Sequence, residues 1–144
     1  MLIAFLILFA IAIYCITSVE EPARFTEVKE MYTLFIEHMR VHNTDPRYEA
    51  LKHRCVLVGF DKKKGDLGYN TNKGYEIGLC LDGTPNQIFH VLLHELAHST
   101  VSEYEHSKQF WDNFRELKRI ATDAGIYKLI PHKVGFCGQH IQDL

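Results

Sequence analysis

The sequence predicts an α+β fold in which a short sheet packs against a buried helix, behind an N-terminal transmembrane helix. Three patterns point there. Two short runs, residues 55–60 and 75–81, are apolar and β-prone. The stretch 84–98 is apolar on nearly every side, as a helix enclosed by a core must be. Residues 2–16 form one unbroken apolar run.

That run continues without a charge to Glu20. A helix of about 17 to 25 residues can span hydrocarbon, so the run is just long enough for an anchor. No Lys or Arg precedes it and no small-x-small site follows, which argues for an uncleaved anchor over a cleaved signal peptide. The nearest basic residues, Arg24 and Lys29, come after it, so the positive-inside bias expects a single-pass membrane protein with its body on the cytoplasmic side. The expected division is an anchor at 1–19 and one folded domain at 20–144.

In the body, Phe25, Val28, Tyr32, Phe35, Ile36 and Met39 recur at helical spacing with Glu and Lys between them. They predict an amphipathic helix over 25–42, capped by Thr26 and stopped by the turn residues 43–46. The strand at 55–60 leads into Lys62-Lys63-Lys64-Gly65, expected as a solvated hairpin tip. The turn-rich stretch 70–74 precedes the strand at 75–81. Thr84 and Pro85 then supply a cap and a first helical residue for the buried helix. A further helix over 107–124 carries Phe110, Trp111, Phe114, Leu117 and Ile120 on one face and ends at Gly125. The tail adds one strand near Phe136.

A chain of 144 residues holds one domain of ordinary size. Its net charge of -2 gives no electrostatic footprint for nucleic acid, and no direct nucleic-acid partner is expected. Cys15 falls in the leader, which leaves three cysteines in the body, Cys55, Cys80 and Cys137, with no Cys-x-x-Cys pair. That set argues against a zinc ribbon and reads as buried free thiols rather than a disulfide framework.

The chemistry lies in His94-Glu95-Leu96-Ala97-His98. On a helix, residues four apart share one face, so both imidazoles can reach a single ion. Glu95 is rotated about 100° from His94, where it does not ligate but can reach a water beside the ion. Two imidazoles and a carboxylate in an otherwise apolar helix would be costly to bury without a partner, and a metal removes that cost. A catalytic zinc needs a third protein ligand. His106 is favoured because it follows His98 by a short loop, with Glu103, Glu105, His132 and His140 as alternatives. His90 shares the face of His94 and reads as a structural or supporting residue.

The pair of motifs, His94-Glu95-Leu96-Ala97-His98 followed by His106-Ser107-Lys108-Gln109-Phe110-Trp111, resembles the minimal zincin metallopeptidases of the WLM and SprT-like group. Members join a His-Glu-x-x-His helix to a later His-x-x-x-Phe. The likeness is above all to WLM-type proteins of large DNA viruses. In these, a strand similar to Asn72-Lys73-Gly74 through Leu81 precedes the metal helix, and a Cys-Gly pair similar to Cys137-Gly138 closes the domain. The resemblance implies a zincin-like fold, zinc held by His94, His98 and His106, Glu95 as the catalytic residue, and a protein or peptide substrate. Cellular relatives are implicated in cleaving proteins crosslinked to DNA. This chain lacks a basic tail and that role is not expected for it.

The expected function is therefore zinc-dependent peptide hydrolysis by a membrane-anchored enzyme. The alternative is a non-catalytic interaction module braced by metal, which has no need of a base at Glu95. For the group that steadies the carbonyl oxygen, the sequence offers Tyr104, Tyr127 and His132 without choosing among them.

Overall fold

Helix α3 (Pro85–His98) lies at the centre of the fold in the computed structural model, which describes residues 1–17, 21–61 and 65–143. Its start follows local chemistry. Thr84 Oγ1 accepts from the Gln87 N–H, and Gln87 Oε1 accepts from the Thr84 N–H, a reciprocal cap that satisfies two otherwise orphaned donors. Ile88, Phe89, Leu92, Leu93 and Ala97 are then fully buried. Around α3 pack a three-stranded sheet, helix α2 (Ala23–His42) and helix α4 (Lys108–Asp123).

The sheet has the order β1-β3-β2. Strand β1 (Val56–Phe60) runs parallel to β3 (Glu76–Cys80), and β2 (Gly68–Thr71) runs antiparallel to β3 on the other side. The central strand is the most deeply buried, with Ile77 and Leu79 inaccessible to solvent. A small hairpin of β4 (Val134–Phe136) and β5 (Gln139–Ile141) closes the domain. The architecture is α+β.

Several local expectations change. Helix α2 begins at Ala23 after Pro22, so Thr26 lies inside its first turn and donates to Glu21 rather than capping the helix. Asn70 and Thr71, the first two residues of the turn-rich stretch before β3, belong to strand β2, which pairs with β3 despite its Gly and Asn content. The tail forms two strands, not one. Lys62, Lys63 and Lys64, expected at a hairpin tip, lie outside the described residues.

The transmembrane helix and the membrane localisation derived from it are corrected. Helix α1 (Leu2–Thr17) has 16 residues, and at 1.5 Å per residue it reaches about 24 Å, short of the roughly 30 Å hydrocarbon layer. Among the described residues no helix is long and apolar enough to cross a membrane. The assignment of the body to a cytoplasmic side falls with the anchor on which it depended.

The cysteine reading is corrected too. Cys80, at the end of β3, and Cys137, in the turn between β4 and β5, form a disulfide. Cys55 alone of the three body cysteines is a free thiol, with its sulfur 3.0 Å from the Tyr32 hydroxyl. The odd count concealed a pair separated by 57 residues, which only the approach of the tail hairpin to the sheet brings together.

Behind α3 the tail inserts a charge into the core. The Asp143 side chain is fully buried, with Oδ1 2.8 Å from Lys118 Nζ and 3.0 Å from His90 Nδ1. Its Oδ2 accepts from the Tyr127 hydroxyl and the Ile130 N–H. Burial pushes this carboxyl up, but donation by His90, Ile130, Lys118 and Tyr127 outweighs it and holds the group far below the usual carboxylate range. Asp143→Asn is expected to cost about 3–5 kcal/mol, since it strands the Lys118 ammonium in the core. Because the folded-state value is depressed, the stabilisation is complete above the unfolded value of about 4 and is lost as pH falls below it. Urea midpoints between pH 7 and pH 3 should therefore fall more steeply for the parent than for Asp143→Asn. Equal slopes would remove Asp143 from the acid response.

Candidate metal centre

His94 and His98 stand one turn apart near the end of α3, half-buried, with ring centroids 5.2 Å apart. The chain leaves the helix at Ser99 and returns through a loop that delivers His106 to the same point, just before the Ser107 cap of α4. His106 Nε2 lies 3.2 Å from His94 Nε2 and 3.1 Å from His98 Nε2. Zinc–nitrogen bonds of about 2.05 Å in tetrahedral array would hold neighbouring nitrogens about 3.3 Å apart. The observed spacing matches that edge, so these residues fit the ion. Among the described residues, these three form the one group of at least three His, Cys, Asp or Glu whose ligand atoms converge in this way.

The protonation of the two helical rings suits a cation. Burial, and then the charges of His98 and His106, pull His94 down to about 3. Burial and the charge of His106 bring His98 to about 4. Both rings are thus neutral at pH 7, as ligation requires. Phe110 braces all three, with its ring centroid 4.9, 4.4 and 4.6 Å from those of His94, His98 and His106. Phe110 is completely buried, so the rings rest on a fixed floor, while Trp111 flanks His106 at 5.3 Å from the more exposed side.

Glu95 lines a pocket with Asn70, Lys73, His98 and Tyr104. It is 7% exposed, and burial alone pushes its carboxyl up to about 7. Strand β2 passes close by because residue 68 is glycine. A Cβ there would fall 2.8 Å from Val91 Cγ1 and 3.1 Å from Glu95 Oε1.

The end of α3 is secured from a distance. A helix leaves its last four carbonyls without helical donors, here those of Glu95, Leu96, Ala97 and His98. Leu96 and Ala97 are served locally, by the N–H groups of Ser99 and Thr100 and by Thr100 Oγ1. Asn70 Nδ2 donates to the Glu95 carbonyl at 2.6 Å, and Lys73 Nζ to the His98 carbonyl at 3.1 Å. Helix α3 is therefore capped by strand β2 and by the turn that follows it. Lys73 also places a positive charge at the negative end of the helix dipole. Sequence reasoning missed both residues in this role. Their sole signal was the turn-rich stretch 70–74, which does not reveal what its side chains reach.

The other candidates lie elsewhere. Glu103 turns its carboxylate to the hydroxyls of Ser102 and Ser107 and stiffens the returning loop. Glu105, His132 and His140 are exposed and outside the histidine group. His90 is buried against Tyr127 and Asp143, and its ring packs on Phe114 at 5.4 Å. Phe114 in turn lies 5.3 Å from His94, so His90 supports α3 from behind.

The WLM domain model matches residues 54–135, more than half of the chain. An uncharacterized protein of Acanthamoeba polyphaga mimivirus is 34% identical over 111 residues, covering 68% of this chain. The aligned region is 56% of that relative, so the chain spans little more than half its length. No solved structure matches the chain.

Proposed function

This chain belongs to the WLM domain family and carries a metallopeptidase-like domain, and from that premise we propose that it is a zinc-dependent peptidase. The observation that supports this reading best is the convergence of three imidazoles on one point, with the next residue of the helix, Glu95, a buried carboxyl that has no ion pair among the described residues. His94, His98 and His106 would hold zinc, and residues 20–144 form the catalytic domain. Bound there, zinc supplies Lewis acidity that activates water and polarises the peptide carbonyl. Glu95 takes the proton from the attacking water and passes it to the leaving amine. A carboxyl raised to about 7 has the proton affinity that this exchange needs near neutral pH. Asn70 and Lys73 fix the end of α3, and so the position of Glu95 and His98.

Metal analysis of the purified chain by mass spectrometry, paired with casein cleavage, tests this reading. We expect close to one zinc per chain, loss of cleavage with a chelator, and recovery when zinc is restored. Zinc without hydrolysis of casein or of a broad peptide library would favour the metal-braced interaction module. Absence of zinc after incubation with the ion would reject both.

A further inference from the structure

We propose that Tyr104 donates the hydrogen bond that steadies the carbonyl oxygen of the peptide under attack, and that Lys73 is the positioning residue that holds it. This rests on the peptidase reading above. The structure separates the three groups that could play the part. The Tyr127 hydroxyl is committed to Asp143 and His90 in the core. His132 is exposed on the tail and does not line the pocket of Glu95. Tyr104 lines that pocket together with Glu95 and His98. It is 78% exposed, and among the described residues its hydroxyl has no hydrogen-bond partner, so it can meet a ligand.

An exposed tyrosine would ordinarily swing freely, but this one is held. Lys73 Nζ sits 4.3 Å from the Tyr104 ring centroid. The same ammonium donates to the carbonyls of His98 and Glu103, one on the metal helix and one on the loop that returns to His106. One cation thus fixes Tyr104 relative to two of the proposed ligands. The backbone is bent to allow it. Asn72 and Lys73 adopt φ of 51° and 54°, a left-handed pair that side chains other than glycine seldom take. Asn70 Oδ1 accepts from the Gly74 N–H at 2.7 Å and clamps the turn in that shape.

In the reaction, water adds to the carbonyl carbon while its proton passes to Glu95. The carbonyl π pair moves onto oxygen, which accepts from the Tyr104 hydroxyl. The C–N bond then breaks, the oxygen pair returns, and the proton on Glu95 goes to the amine.

The test compares the zinc-loaded full chain with Tyr104→Phe, Lys73→Met and Lys73→Arg. Tyr104→Phe keeps the ring over Lys73, so zinc content and thermal midpoint should not change. Its kcat should fall about 10²-fold with KM nearly constant. Affinity for a phosphinic peptide, which mimics the tetrahedral oxyanion, should fall with kcat, while affinity for an uncleavable ketomethylene peptide should hold. Lys73→Met should lower kcat about tenfold, and Lys73→Arg should restore most of it. If the parent cleaves peptides and Tyr104→Phe matches it in kcat and phosphinate affinity, Tyr104 is not the donor and the peptidase reading stands. A fall in kcat explained by lost zinc would equally overturn the assignment. A zinc-loaded parent that cleaves nothing would overturn the peptidase reading and this proposal together.

Discussion

Glu95→Gln is expected to lower kcat for peptide hydrolysis by about 10³-fold or more while leaving the zinc content of the chain unchanged. Glutamine has the shape of the carboxyl but cannot accept the proton of the attacking water. It ligates nothing here, because the three converging nitrogens belong to other residues. The change should not harm the fold. The Glu95 carboxyl is buried, and burial raises it to about 7. A folded-state value above the unfolded one, about 4.3, means that ionising this group costs stability. The cost begins as pH rises past the unfolded value and levels off above the folded one. Metal-free Glu95→Gln should therefore be at least as stable as the parent at pH 8, with the difference shrinking toward pH 4. Steady-state kinetics and urea unfolding at both pH values check the two halves. A variant that is stable and as active as the parent would place the base elsewhere.

The second large effect concerns the metal itself. His94→Ala combined with His98→Ala should abolish zinc binding, since one exposed imidazole on a loop cannot retain the ion. His106→Ala leaves a helical pair four residues apart, and we expect affinity to drop by a few kcal/mol, about 10² to 10³-fold. Glu103→Gln and Glu105→Gln should barely alter it, because Glu103 is occupied with two serines and Glu105 faces solvent. Zinc titration against a competing chelator distinguishes these cases. Full occupancy in the double variant would remove the histidine site altogether. A large loss in Glu103→Gln with little in His106→Ala would move the third ligand to a carboxylate.

What could be read from the sequence was local. The cap at Thr84 and Gln87, the apolar girth of α3 and the spacing of His94 and His98 are all set within one helix, where period and capping are chain-local physics. The amphipathic faces of α2 and α4 follow for the same reason. His106 was one of several possible third donors, because sequence spacing does not tell which of them a loop returns. The loop is shaped by Lys73 at Glu103 and by Asn113 donating to Thr100, contacts between distant segments.

Hydropathy and cysteine count, read alone, misled. An apolar run marks a helix, yet whether it can span a bilayer depends on helical length, and sixteen residues fall short. An odd number of cysteines left no pattern for a bridge, and Cys80 meets Cys137 only through the packing of the tail on the sheet. The sequence by itself thus determined which groups could do the chemistry: two helical imidazoles, a glutamate and a set of possible third ligands. The tertiary structure alone decided which third imidazole closes the group. It also decided that Asn70 and Lys73 cap α3, and which tyrosine shares a pocket with Glu95. The reason is physical. Capping of a helix start and helical periodicity act over three or four residues, whereas carbonyls at a buried helix end must find donors wherever the fold brings them.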